Sequence, residues 1–215
     1  MVIGRRDRLG RELSQAAAMI RARGVGRRFG DKRALAGVDV DVGRGQFLLV
    51  TGPNGSGKTT LLRLFAGLLV PTSGALEVRT DRAHVGFLGH DPLVYRELTP
   101  LENLDLYGRL YRISERRERI GMLLERFGLW EARAELTSDL SRGMLQRLAL
   151  CRTLLHEPDL LLLDEPFSAL DGAGAELLLD ELGRLESERR TIVVASHQPE
   201  RLGDRPTSRV ALTPA

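Results

Sequence analysis

Nine consecutive residues, Gly52-Pro53-Asn54-Gly55-Ser56-Gly57-Lys58-Thr59-Thr60, have the spacing G-x-x-x-x-G-K-[ST] of a phosphate-binding loop. The residue types match what polyphosphate chemistry requires. Gly52, Gly55 and Gly57 let the backbone turn tightly and bring N–H groups up to phosphate oxygens. Lys58 supplies a compact cation for the terminal phosphates, and the Thr59 hydroxyl can ligate Mg2+. Lys58 is one of two lysines, with Lys32, in a chain whose other basic side chains are arginine. A planar guanidinium does not replace an ammonium in such a cradle.

Positioning this loop takes a strand before it and a helix after it. Phe47-Leu48-Leu49-Val50 is a short apolar run that predicts a buried strand. Leu61 to Ala66 predicts a helix with its N-terminus toward the anion. A second acidic station ends another apolar run, Leu160-Leu161-Leu162-Leu163-Asp164-Glu165. It predicts a strand beside the P-loop strand, with Asp164 as Mg2+ partner and Glu165 as general base for an attacking water. A charged turn leaving the core would produce the same letters. Leu140-Ser141-Arg142-Gly143-Met144 precedes a helix expected to reach His156. Ser141 suits its N-cap; the exposed N–H groups there make either a second anion site or an ordinary capped end.

The rest of the chain alternates strand and helix signals, which predicts a mostly parallel sheet. Strands are expected at Ile20–Gly24, Ala34–Val42, Leu76–Arg79, His84–Leu88 and Thr191–Ala195, with a turn over Pro71–Gly74. Val38, Val40 and Val42 alternate with Asp39 and Asp41, as in a half-exposed strand. Helices are expected over Leu101–Arg112, Ser114–Phe127 and Ala175–Glu188. Thr99-Pro100-Leu101-Glu102 combines a capping box with proline at the first helical position, and Gly128 is a stop. The helices between about 91 and 157 arrive as a block, like an insertion.

The chain has 215 residues, net charge +3 and 42% hydrophobic residues, which suits one globular domain. No apolar run approaches the ~20 residues of a membrane span. The basic charge is too mild and dispersed to argue for nucleic acid. The lone cysteine, Cys151, excludes an internal disulfide and reads as a buried thiol. Arg5, Arg6, Arg8 and Arg11 cluster in residues 1–18, expected to be a flexible basic extension rather than an export signal.

The order Phe29, P-loop, Leu-Ser-x-Gly, Leu160–Glu165, Ser168-Ala169-Leu170-Asp171, His197 resembles the nucleotide-binding subunit of ABC transporters over residues 19–213. The resemblance implies an α/β P-loop NTPase (RecA-like) core, an antiparallel β-sub-domain and an inserted helical sub-domain. It implies ATP and Mg2+ as ligands, a second copy of the chain as partner, integral membrane subunits, and a peripheral place on the cytoplasmic face. By position, Phe29 would stack on adenine, unless it is a core aromatic. Ser141, Arg142, Gly143 and Asp171 would meet the ATP of the partner cassette. His197 would reach the γ-phosphate, unless it is a satisfied histidine after a strand. The family's usual glutamine is His90 here, a candidate for a Mg2+-bound water, and Arg142 replaces a glycine. Leu88-Gly89-His90, Glu97–Leu104, Asp164–Asp171 and Ser196-His197-Gln198-Pro199 further resemble the ATP-binding subunit of haem exporters in cytochrome c maturation. A DNA-repair ATPase would need a long coiled coil between Lys58 and Ser141, for which there is no room. A kinase or GTPase would leave His197 and the Ser141 loop unexplained.

Overall fold

The computed structural model describes residues 18–214. The basic extension expected at residues 1–18 lies outside this range, save that Ala18 opens the first strand and pairs with Gly43.

Two sheets organise the chain. The first is antiparallel, in the order β2-β1-β4, from β1 (Ala18–Phe29), β2 (Lys32–Gly43) and β4 (Ser73–Val78). Val38, Val40 and Val42 are buried while Asp39 and Asp41 face water, the period-2 pattern of a half-covered sheet. Both strands of this hairpin outrun their sequence signals, because pairing recruits arginines and glycines that lack strand propensity. Ser73 and Gly74, expected in a turn, instead open β4.

The second sheet is parallel and runs β5-β6-β7-β3-β8: β5 (Val85–Leu88), β6 (Leu160–Asp164), β7 (Thr191–Ala195), β3 (Phe47–Thr51) and β8 (Ser208–Ala211). The acidic strand β6 therefore does not adjoin the P-loop strand β3. β7 stands between them, hydrogen-bonded to both. Adjacency in a parallel sheet is fixed by crossovers, which strand composition does not encode. The edge strand β8, Ser-Arg-Val-Ala, carries too weak an apolar signal to be read in advance.

Residues of the central strands feed two cores in alternation. Leu160 and Leu162 join Ile20, Leu48, Val50, Leu61 and Val193, between the antiparallel sheet and α1 (Lys58–Phe65). Leu161 and Leu163 join Phe47, Leu49, Ile192 and Leu148 on the other face. That face is covered by α2 (Pro100–Leu110), α3 (Arg116–Arg126), α4 (Arg142–Leu154) and α5 (Gly172–Ser187). Each fully buried leucine contributes roughly 2 kcal/mol, so β6 alone supplies much of the drive for its central position. At the start of α2 the Thr99 hydroxyl accepts from the Glu102 N–H, and Glu102 accepts from the Thr99 N–H at 2.8 Å. Gly128 takes φ 61 just beyond α3.

Candidate nucleotide site

The loop between β3 and α1 is held by its own backbone. The Ser56 N–H donates to Pro53 O at 3.2 Å, and the Leu61 N–H donates to Gly57 O at 2.8 Å. Helix α1 starts at Lys58, inside the motif and earlier than expected, with Gly57 as its N-cap and no side chain capping it. Its first N–H groups therefore point, uncapped, into the concavity of the loop. Gly57 has φ 97, and a Cβ there would stand 2.4 Å from Ala34 O of β2. Only glycine lets the loop dock against the antiparallel sheet.

Lys58 is 7% exposed, and its ammonium donates to Gly52 O at 2.8 Å and Pro53 O at 3.3 Å. It also lies 3.7 Å from Glu165 Oε1. The Thr59 hydroxyl donates to Asp164 Oδ2 at 2.6 Å. Asp164 Oδ1 is buried without a hydrogen-bond partner, as is Ser56 Oγ. Burial pushes the Asp164 carboxyl above the usual carboxylate range; the Thr59 hydroxyl pulls it back and the neighbouring Glu165 charge pushes it further up.

Glu165, one residue past β6, has φ 49. A left-handed non-glycine residue is strained by ~1–2 kcal/mol. The turn is fixed by the Glu165 N–H donating to Ala195 O at 2.8 Å. Its effect is to aim the side chain sideways at His197. Glu165 Oε2 accepts from His197 Nδ1 at 2.7 Å and from the His197 N–H at 3.1 Å. His197 is thus not a core histidine: its side chain is half exposed.

Phe29 is 46% exposed at the tip of the β1–β2 hairpin, not in the core, with the Arg27 guanidinium 4.7 Å from its ring centroid. It lines one concavity of about 360 Å³ together with Asn54, Lys58, Thr59, Asp164 and Glu165. Lys32 lines the same space and was not singled out for the site from sequence, although being one of two lysines was a signal. Larger hollows, such as one of about 620 Å³ between α2 and α3, lie away from the P-loop. His90, exposed beyond β5, stands outside the lining of the P-loop concavity.

Ser141, Arg142 and Gly143 likewise stand outside it, at the start of α4. Ser141 caps that helix, its hydroxyl accepting from the Met144 N–H at 3.2 Å. Asp171 caps α5, accepting from the Gly174 N–H at 2.7 Å. The two capped ends are neighbours: a Cβ on Gly143 would lie 3.4 Å from Ala169 O, and Gln146 donates to Pro166 O at 3.2 Å. α4 ends at Leu154, two residues short of the expected His156.

A phosphate cradle at a strand–helix junction, an acidic strand end reached by the cradle's own threonine, and a carboxylate–histidine pair beside it define a P-loop nucleotide-binding protein. The comparisons narrow the class. Residues 35–168 match the family model described as ABC transporter, and the chain belongs to that family. It is 37% identical over 196 residues to the daunorubicin resistance ATP-binding protein DrrA3 of Streptomyces coeruleorubidus, covering 85% of this chain and 62% of that one. It is 34% identical to the ABC transporter ATP-binding protein NatA of Bacillus subtilis, covering 83% and 79%. The chain thus spans about three fifths of the DrrA3 relative's length. Among solved structures, an ATP-binding subunit of an ABC transporter superposes with TM-score 0.83 at 26% identity, covering 90% of this chain and 85% of that one. A dimeric ATP-binding cassette in a post-hydrolysis state, bound to ADP and Pi, gives 0.81 at 28%, covering 90% and 94%. The fold is therefore that of an ABC cassette.

Proposed function

We propose that the chain is the ATP-hydrolysing subunit of an ABC transporter, energising a separate integral membrane subunit from the cytoplasmic face. The observation that carries this reading is the convergence of Thr59 with Asp164, and of Glu165 with His197, over one phosphate cradle. Phe29 stacks on the adenine, its far face backed by Arg27. The N–H groups of Gly52–Thr60 and the Lys58 ammonium hold the β- and γ-phosphates.

The unpartnered Asp164 Oδ1 is the atom expected where a cation belongs, and among the described residues no three His, Cys, Asp or Glu side chains form a metal nest. This fits a Mg2+ held by Thr59 and Asp164 with the rest of its sphere from phosphate and water. A Mg2+ held by Thr59 and Asp164 would supply positive charge against the phosphate oxygens. His90 is the candidate to accept from a water of that sphere. Glu165 takes the proton of the attacking water, and His197 reaches the γ-phosphate and keeps that water in line.

A second copy of the chain completes each site from the opposite side with Ser141, Arg142, Gly143 and Asp171. Arg142 adds a positive charge where the family has glycine. No helix among the described residues is long and apolar enough to cross a membrane, which fits a peripheral subunit. Leu93 and Tyr95, half exposed between β5 and α2, offer an apolar face to a short helix of the membrane partner. No nucleic-acid role is proposed, since the charge is dispersed.

For cargo, haem export in cytochrome c maturation is favoured by Leu88-Gly89-His90 and Ser196-His197-Gln198-Pro199. Three of the similar proteins carry other names, daunorubicin resistance, Nod factor export and macrolide export, and none of these names haem. A drug or lipid exporter is the competing reading, and the cytochrome c content of a strain lacking the protein separates the two.

The direct test is Glu165→Gln. The variant is expected to bind Mg-ATP, lose turnover about 10²–10⁴-fold, and run as a dimer in size exclusion. Hydrolysis at the wild-type rate would overturn the general-base assignment; a chain that binds no nucleotide would overturn the whole reading.

A further inference from the structure

His197 is gripped from both ring nitrogens. Nδ1 lies 2.7 Å from Glu165 Oε2, an acceptor when ionised, so the proton sits on Nδ1. Nε2 lies 3.2 Å from Gln198 Nε2, and an amide NH2 only donates, so Nε2 presents its lone pair. The Gln198 backbone is anchored in turn: its N–H donates at 3.0 Å to the hydroxyl of Ser196, a residue 1% exposed, whose own N–H donates to Val50 O of the P-loop strand at 3.1 Å. Both neighbours of His197 thus fix where its ring sits.

We infer that Gln198 is a positioning residue that sets the tautomer of His197, holding it as the Nδ1–H form aligned on Glu165. A side-chain amide has two faces. With NH2 toward the imidazole, Nε2 accepts, and Nδ1–H remains committed to the Glu165 carboxylate. With the amide oxygen toward it, Nε2–H would donate to that oxygen, and the bare Nδ1 would face the Glu165 carboxylate at 2.7 Å, which that carboxylate opposes. The orientation of one half-buried side-chain amide therefore bears on which ring nitrogen carries the proton, without the backbone moving. The partner of one imidazole nitrogen commonly dictates the protonation of the other, and misassigning it in catalytic histidines is costly.

The catalytic consequence rests on the ATPase reading above; the tautomer does not. The experiment is a 15N–1H multiple-bond spectrum of the full-length chain, with His197→Gln used to assign the signal. The wild type is expected to show an Nδ1–H imidazole with an unprotonated Nε2. Gln198→Leu, which cannot donate, is expected to give a mixture of the two tautomers. Gln198→Glu, an acceptor of the same reach, is expected to protonate Nε2. In turnover, Gln198→Leu is expected to lower kcat roughly tenfold with KM for ATP unchanged. A wild-type ring protonated on Nε2, or a Gln198→Leu spectrum identical to wild type, overturns the proposal. A tautomer that responds as expected in a chain that hydrolyses no ATP leaves the positioning role standing and removes the ATPase reading.

Discussion

The Thr59 hydroxyl donates to Asp164 at 2.6 Å although the two strands that carry their elements are not neighbours. β7 separates β3 from β6, and the gap is closed by the first turn of α1, which crosses above β7 toward β6. Cradle and acidic strand are thus joined through a helix rather than through the sheet ladder. The arrangement leaves one Asp164 oxygen buried and unpartnered at a concavity that Lys58 and Lys32 also line.

That oxygen implies a stability cost. Burial raises the Asp164 carboxyl above its ordinary value of 3.8. The folded chain therefore holds this proton more tightly than the unfolded chain, so the group's contribution to stability is fully present below pH 3.8 and is lost as pH rises through the folded value. At neutral pH the ionised carboxylate is a net cost. Asp164→Asn is expected to raise Tm at pH 7 without ligand, by an amount that shrinks in more acidic buffer. The same variant is expected to lose the extra stabilisation that Mg-ATP gives over ATP alone. Calorimetric scans across pH check both.

Much of this site was legible because its parts are local. The P-loop, the Thr99 capping box and the apolar run ending at Asp164 each declare themselves within ten residues, and Thr191–Ala195 is a strand over the residues predicted. What was missed is non-local or conformational. Strand order depends on crossovers, so the β7 that parts β3 from β6 had no signature. The sideways turn at Glu165 needs a positive φ that a glutamate does not advertise. Gln198 lies in a motif quoted for its resemblance, yet its bond to His197 depends on the bend after β7.

Gly57 is where the loop touches the antiparallel sheet. A methyl group there meets Ala34 O at 2.4 Å, a backbone atom that cannot step aside, at φ 97. Gly57→Ala is expected to cost about 1–3 kcal/mol of stability and to weaken nucleotide binding at least tenfold. Urea unfolding and titration with a fluorescent ATP analogue measure the two effects, and a variant as stable as wild type would show that the loop does not need this contact.

Cys151 is fully buried in α4, its thiol donating to Leu123 O of α3 at 3.5 Å. Burial pushes the thiol far up, so almost no thiolate exists near neutrality. Iodoacetamide is expected to leave the native chain unmodified for as long as it stays folded and to label it stoichiometrically in denaturant. The labelling rate read by mass spectrometry then reports opening of the α3–α4 contact. Rapid native labelling would place the thiol in a segment that opens far more readily than its packing implies.

The strain at Glu165 separates stability from activity. Replacing it with alanine removes the carboxylate but leaves a Cβ in the left-handed region; replacing it with glycine removes both. Both variants are expected to lose turnover alike, since neither offers a base to the attacking water. They should differ in stability. Glycine relieves ~1–2 kcal/mol of backbone strain and gives back ~0.5–1 kcal/mol in unfolded-chain entropy, so Glu165→Gly should exceed Glu165→Ala by about 0.5–1 kcal/mol. For a chain of this size that is roughly 1–4 °C in Tm. Equal melting temperatures would mean that the turn relaxes once the His197 and Lys58 contacts are gone, and that those contacts, rather than the Ala195 hydrogen bond, hold the backbone in its strained shape.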